Sequence, residues 1–372
     1  MSIYNISQKF RNEVEISAIG SVPIVDDSSF DSDAWNKFQI LLKRNINRGD
    51  TYNDTIVSTY SINNFAGFSY IGAVNSIDGE VEFIPHQADG QRIDKNGSVS
   101  TYSLIHTANS AYAGGVLDKN GDIHFVPLSS TVGQKINKNK SVSTYSLIYT
   151  TSFAYAGGVL ATDGSIYFVP DNAKVGQKIN IDGSVSTYSL VYTTTTLAYI
   201  GGVLSPNGDI HFMPYNAKVG QKINSDGTIS TYSLVYTRSS AYVGGVLSVD
   251  GDIHFVPRFA QVGQKINKYG EVSTYSLAYT ASNAYYGGVL SPNGDIHFVP
   301  FSASVGQKIN INGVVSTYQL AYTTSAAYAG GLLDENGDIH FIPGSATVGQ
   351  KISTTCSNFN KATILSPFLN KF

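Results

Sequence analysis

Between Val57 and Ile352 the chain is a succession of short apolar runs rich in Val, Ile, Thr, Tyr and Phe, separated by polar turns. That composition suits a pleated surface, and inside these runs the apolar positions never take up the spacing of a helix. One stretch shows the grammar. Tyr155–Leu160 (YAGGVL) and Ser165–Val169 (SIYFV) flank an Asp-Gly turn, and Val175–Ile179 (VGQKI) and Val185–Leu190 (VSTYSL) flank a second. Asp-Gly between two such runs predicts a hairpin. The proline ending FVP, as at Pro127 and Pro170, has no N–H to give to a ladder and closes its strand.

The same text is written seven times. The glycine that opens the IHF-type strand falls at Gly79, Gly121, Gly164, Gly208, Gly251, Gly294 and Gly337, at intervals of 42 to 44 residues. The irregular intervals lie in connections: a residue is missing after Pro85, and one is gained in the run Thr193–Thr196. Length changes belong in loops, where they cost least. Four strands per period of this length predict a β-propeller blade, and seven copies fall within the roughly four to eight blades that propellers use. A parallel β-helix is the second architecture that such repeats allow.

The order of the runs also predicts how the ring closes. The tight turns join neighbouring strands of one blade, so the longest connection, from STYSL to YAGG, crosses to the next blade. YAGGVL is then innermost, where small residues suit a crowded axis, and STYSL outermost. After Ile352 the outer strand is missing, while an orphan copy, Val57–Ile62 (VSTYSI), precedes the first inner strand. This N-terminal strand is expected to complete the last blade, since closure removes an unpaired sheet edge. The predicted fold is all-β: a seven-bladed β-propeller of four-stranded blades over residues 55–352. It is flanked by an N-terminal extension, 1–54, and a C-terminal tail, 353–372.

In period, strand count and staggered closure the chain resembles WD-repeat propellers. It departs from them in lacking the GH…WD signature, because Trp35, its sole tryptophan, lies outside the repeats. The YxGGVL…NGxIHFVP wording also resembles uncharacterised repeat proteins of large DNA viruses and protists. The resemblance spans Val57 to Ile352 and implies a propeller, a scaffold that hosts many functions.

Charge changes this picture little. A net charge of −3 with 14% charged residues argues against a general attraction to nucleic acid or acidic lipid. Cys356, the single cysteine, rules out an intramolecular disulfide and fits a reducing compartment, cytoplasmic or virion-associated. The first residues carry charge where a signal peptide needs an apolar core, so none is expected, and no apolar run is long enough to span a membrane. Asp31–Asn45 carries Trp35, Phe38, Ile40, Leu41 and Leu42 in a helix-like pattern, predicting one helix that braces the ring or binds a partner.

Three repeated side chains are candidates for chemistry. Histidine occupies the second strand at His124, His211, His254, His297 and His340, replaced by Glu82 and Tyr167 in the other copies. No second ligand accompanies each one at metal spacing, so no metal or cofactor is expected. A hydrogen bond to the preceding Asp122-type residue or to a serine of the neighbouring strand is expected instead. The third strand offers a basic ring of Lys135, Lys178, Lys222, Lys265, Lys308 and Lys351, with Arg92 in the first copy. It reads either as a grip for phosphates or as a solvated strand whose carboxylate neighbours offset it. Of 25 tyrosines, one set opens the inter-blade connection: Tyr149, Tyr192, Tyr236, Tyr279 and Tyr322. Aromatic rings beside Thr and Ser suit contact with a protein or a sugar.

No nucleophile motif, phosphate loop or distinctive carboxylate pair appears. Catalysis needs different residues in different roles, whereas near-identical blades supply the same residue repeatedly. Departures such as Arg238, Arg258 and Tyr269 look scattered. The sequence therefore predicts a non-enzymatic binding or scaffolding ring with a protein partner. A lectin-like propeller with equivalent inter-blade sugar sites is the alternative, and nucleic-acid or phosphate binding by the lysine ring is the third reading. A scaffold should present one asymmetric surface, a lectin several equal sites.

Overall fold

The computed structural model describes residues 53–62, 68–334 and 337–355. The helix expected at 31–45 and the tail beyond 355 lie outside them. The described residues form seven four-stranded antiparallel sheets, each with its strands in sequence order except the last, which takes its outer strand from Asn53–Ser61. This is the expected seven-bladed propeller. No helix among the described residues is long and apolar enough to cross a membrane.

Blade order follows the sequence logic. YxGGVL strands such as Tyr155–Leu160 and Tyr199–Leu204 are innermost and pack against one another around the axis. The closing strand pairs antiparallel with Val348–Thr355, with Val57 opposite Ile352 and Tyr60 opposite Gly349. Glycine is obligatory at the axis for a stated reason. Gly72 and Gly287 hold φ of +79° and +96°, and a Cβ there would come within 3.4 and 3.3 Å of the Cα of the next blade's glycine.

Each blade is held by a lock between its outer strands. The tyrosine of STY lies flat over the cross-strand glycine of VGQKI, so close that a Cβ on Gly220 would sit 2.1 Å from the Tyr232 ring. Its hydroxyl meets the second-strand histidine: Tyr145–His124 at 3.4 Å, and Tyr232–His211, Tyr275–His254 and Tyr318–His297 at 3.3 Å. Tyr60 of the closing strand makes the same bond to His340 at 3.3 Å. Histidine therefore pairs with tyrosine and not with the Asp122-type residue, and in two blades its other nitrogen meets the aspartate six residues earlier, His124 with Asp118 at 3.3 Å and His340 with Asp334 at 3.2 Å. The reason is register: the histidine sits opposite the third-strand lysine, as in His211 opposite Lys222, and that lysine takes the aspartate. Burial, reinforced by the lysine charge, pushes His211 and His254 down to about 4.

A second stitch joins blades. The glutamine of VGQKI is fully buried, and its Oε1 accepts main-chain N–H groups from the connection leaving the previous blade. Gln177 takes Ile148 and Tyr149 at 2.9 and 2.8 Å, and Gln221 takes Val191 and Tyr192 at 3.0 and 2.7 Å. These are donors that a loop crossing a sheet end would otherwise leave unmet.

Candidate functional site: the axial collar

The residue that follows each strand-ending proline sits where the inter-blade connection enters the next inner strand. Its main chain is fixed by a ring of hydrogen bonds. The carbonyls of His86, Leu128, Asp171, Tyr215, Arg258, Phe301 and Gly344 each accept an N–H from the following blade, at 2.6 to 3.3 Å, the last one reaching Ser69 and closing the circle. Only backbone groups make this ring, so the side chain is released from structural duty. The seven blades use the freedom fully: all seven residues differ.

Two further unlike sets frame this collar. The second residue of each inner strand points to the axis, where Ile71, Ala113, Ala156, Ile200, Val243 and Ala329 form one buried cluster with Tyr286 packed on it. Beside them a small space of about 10 Å³ is lined by Gly72, Ala73, Gly114, Gly115 and Gly158 of three neighbouring inner strands. Two residues before the inner-strand tyrosine, Phe68, Ser110, Phe153, Leu197, Ser240, Asn283 and Ala326 all hold φ between +49° and +59°. A left-handed conformation costs a residue with a Cβ roughly 1–2 kcal/mol, and none of these is glycine. Side chains across the blade boundary cap several of them: Asn172 Oδ1 accepts from Leu197 N–H at 2.7 Å, and Ser129 Oγ from Phe153 N–H at 3.1 Å.

The chemistry gathers around Arg258. Its guanidinium lies 5.4 Å from the ring centres of Tyr215, Phe259 and Tyr286 and 5.6 Å from that of Phe301. Nε donates to Asn283 Oδ1 at 2.6 Å and Nη1 to the Tyr215 hydroxyl at 2.8 Å. Phe301 also meets Tyr286 at 5.4 Å and Phe68 at 5.9 Å. Asp171 is 3% exposed, and its Oδ1 has no hydrogen-bond partner among the described residues. Burial pushes its carboxyl up to about 8. Tyr286 feels both the Arg258 and the Asp171 charge, so it lies in the neighbourhood of both. Across the ring, His86 is held by Ser110 Oγ at 3.1 Å and the Tyr112 carbonyl at 3.2 Å, and burial pulls it down.

The residues singled out from sequence are placed elsewhere. Lys135, Lys222, Lys265, Lys308 and Lys351 each pair with the aspartate that precedes the second strand, for instance Lys135 with Asp122 at 2.6 Å and Lys265 with Asp252 at 2.7 Å. Lys178, whose blade carries Tyr167 in place of histidine, donates to that hydroxyl at 3.2 Å. In the first blade both partners change together: Glu82 replaces histidine, Arg92 replaces lysine, and they meet at 3.1 Å. Tyr149, Tyr192, Tyr236 and Tyr279 are half-buried and pack edge-on against the next inner-strand tyrosine at 6.1 to 6.4 Å. Their hydroxyls bond locally, Tyr192 to Thr195 at 2.6 Å and Tyr322 to Thr347 at 3.3 Å. Asp118, Asp122 and His124 bring ligand atoms within 4.8 Å of one another. Lys135 already holds Asp122, and Asp118 meets His124 at 3.3 Å.

Of the scattered departures, two come together. Arg238 Nη1 donates to the Phe259 carbonyl at 3.0 Å, beside Arg258, whereas Tyr269 is 79% exposed in a turn at the opposite end of the ring. Sequence reasoning missed the collar because its only mark is variation at one position of the repeat, the residue after FVP.

No family model and no curated protein matches the chain. Solved structures do match its fold. A streptogramin B lyase superposes with a TM-score of 0.72 at 20% identity, covering 82% of this chain and all of the other. A catalytically inactive histidine-to-alanine variant of virginiamycin B lyase from Staphylococcus aureus, with quinupristin, gives 0.72 at 19% over 81% of this chain and all of its own. The WD40 propeller domain of Doa1 gives 0.59 at 15% over 82% of this chain and all of its own.

At these identities the likeness shows a shared fold. It also corrects one expectation. A seven-bladed ring was expected not to be an enzyme because repeated blades offer repeated residues; lyases stand among the structures most similar to this fold, and the collar supplies six different side chains and a glycine. The argument from repetition fails at the axis.

Proposed function

We propose that the ring is a recognition platform for a protein partner, docked on the face that carries the inter-blade connections and centred on the axial collar. One observation carries this reading. The residues that vary from blade to blade converge at that end, where Leu128, Asp171 and Phe301 are buried and His86, Tyr215 and Arg258 are half-exposed, giving one asymmetric surface instead of seven equal sites. Its makeup also fits, since tyrosine and arginine in a packed aromatic surround are the residues that dominate interface energetics. Propellers commonly serve as interaction platforms, and seven blades widen the surface without new topology. The lectin-like reading draws less support, because four of the connection tyrosines pack their rings on the inner-strand tyrosines and the Tyr192 hydroxyl is taken by Thr195. Five lysines of the ring are neutralised by aspartates within their blades, and Lys178 donates to the Tyr167 hydroxyl.

Affinity capture from a native lysate tests this, comparing the wild type with Tyr215→Ala/Tyr286→Ala on the collar and Ile181→Ala/Tyr269→Ala on the opposite face. The reading predicts a discrete protein lost only with the collar pair. Loss only with the opposite pair overturns it.

A second reading, chemistry at the collar, is favoured by Asp171. A carboxyl that burial alone pushes up to about 8 is poised for proton transfer near neutrality. Quinupristin, the molecule held by the similar lyase structure, is the first substrate to assay. Turnover that Asp171→Asn abolishes supports this reading, and no turnover with quinupristin withdraws that substrate.

A further inference from the structure

The two ends of the ring differ in charge. At the end with the tight turns lie Asp122, Asp209, Asp252, Asp295 and most other carboxylates of the described residues. At the collar end the described carboxyls are Asp89 and Asp171, and burial pushes the latter up to about 8, so it carries a proton at neutrality. Three of the cations at that end, Lys218, Arg238 and Arg258, are joined into a track, while Lys174 stands one blade before it. Lys218 Nζ donates to the Thr237 carbonyl at 2.6 Å and to Ser239 Oγ at 3.1 Å, straddling Arg238. Arg238 in turn holds the Phe259 carbonyl, and Arg258 lies over the Phe259 ring. Lys218 and Arg238 are exposed, and Arg258 is half-buried with neutral polar partners, Asn283 and Tyr215. This chain of contacts runs from the rim of the fourth blade to the axis, and aromatic rings flank its inner end.

We infer that the protein partner presents an acidic segment, with Asp or Glu beside an aromatic or aliphatic residue, which lies along Lys218, Arg238 and Arg258. This rests on the protein-recognition reading above. A guanidinium without a carboxylate partner gains most from an incoming carboxylate, because the aromatic surround lowers the local dielectric and charge-assisted bonds are strong there. The apolar neighbour in the segment would meet Phe259 and Tyr286, both half-buried beside Arg258. Nucleic acid fits less well: the track is three cations long on a chain of net charge −3, and the opposite face repels phosphate.

The test is fluorescence anisotropy with a fluorescein-labelled twelve-residue peptide alternating Asp or Glu with Phe or Leu. A matched peptide carries Asn and Gln instead, and a single-stranded oligonucleotide of similar length is the third probe. The acidic peptide should bind and weaken with added salt. Arg238→Gln/Arg258→Gln should lower its affinity about tenfold or more, Arg258→Lys should lower it less, and Lys138→Gln/Lys268→Gln on the turn face should leave it unchanged. Circular dichroism establishes that each variant is folded. No binding of the acidic peptide, equal binding of the amide peptide, equal loss in the turn-face variant, or tighter binding of the oligonucleotide each overturns the inference. A lysate partner that still docks through Tyr215 and Tyr286 in Arg238→Gln/Arg258→Gln would sink acid recognition and leave the platform standing.

Discussion

The lock between the outer strands and the collar at the axis stand on the same backbone repeat and obey opposite rules. In the lock, side chains do the holding: tyrosine over glycine, tyrosine hydroxyl to histidine, lysine to aspartate. Sequence there is nearly fixed, and where it changes, as in Glu82 with Arg92 or Tyr167 with Lys178, the partners still meet. In the collar the main chain does the holding, through the circle of carbonyl bonds, and side chains are unlike in every blade. Fixed and varied side chains are thus separated by which atoms carry the hydrogen bonds.

The largest test of this division removes the closing strand. Deleting residues 55–62 takes away the ladder to Val348–Thr355 and the Tyr60–His340 bond, leaving the last blade with an open edge. The melting temperature should fall by about 10 °C or more. An unchanged melting temperature by differential scanning calorimetry would mean that the lock contributes nothing to closure.

Next comes a pair of glycines. Gly220→Ala places a Cβ 2.1 Å from the Tyr232 ring and should cost about 3 kcal/mol through overpacking. Gly227→Ala, in an open turn at φ +84° with nothing within 4 Å, should cost about 1 kcal/mol through backbone strain alone. Urea denaturation measures both, and equal costs would show that the ring can step aside.

These comparisons mark what was legible in the sequence. Period, strand order and closure were readable because turns, prolines and apolar runs are local signals repeated in every copy, with Val57–Ile62 as the tell-tale orphan. The partner of the histidine was not, because its identity depends on cross-strand register, which sets lysine opposite histidine and hands lysine the aspartate. The buried glutamine of VGQKI gave no signal either, since a polar residue in a strand reads as exposed unless the neighbouring blade is known. The collar was hidden for a deeper reason. A repeat search rewards sameness, and this site is written in the one position after proline where the copies disagree.

The division also predicts two opposite pH limits. His211 lies at about 4 in the fold against about 6.5 when unfolded, so the lock is fully stabilised above 6.5 and loses stability as pH falls from there to about 4. Asp171 lies at about 8 against about 4 when unfolded, so its burial costs nothing below 4 and progressively more as pH rises to about 8. His211→Tyr, copying the third blade, should therefore soften the acid limb, and Asp171→Asn the alkaline one. Melting curves against pH check both. If Asp171→Asn ran parallel to the wild type between pH 4 and 8, the carboxyl would be ionised in the fold and the account of the collar would need a buried cation beside it.

The smallest expected effect on stability carries the sharpest comparison. Arg258→Gln keeps the backbone bonds, in which its carbonyl accepts from Ala284 and its N–H donates to Ala241, and loses the aromatic surround and the bonds to Tyr215 and Asn283. A half-buried cation–π contact and two hydrogen bonds to neutral partners are each modest, so the cost should be about 1 kcal/mol, below that of Gly220→Ala. Yet the same change removes the one charge at the centre of the proposed docking face. A collar residue that shifted stability as much as a lock residue would show that its side chain, and not only its backbone, holds the ring together. The freedom to vary would then need another cause than the circle of carbonyls.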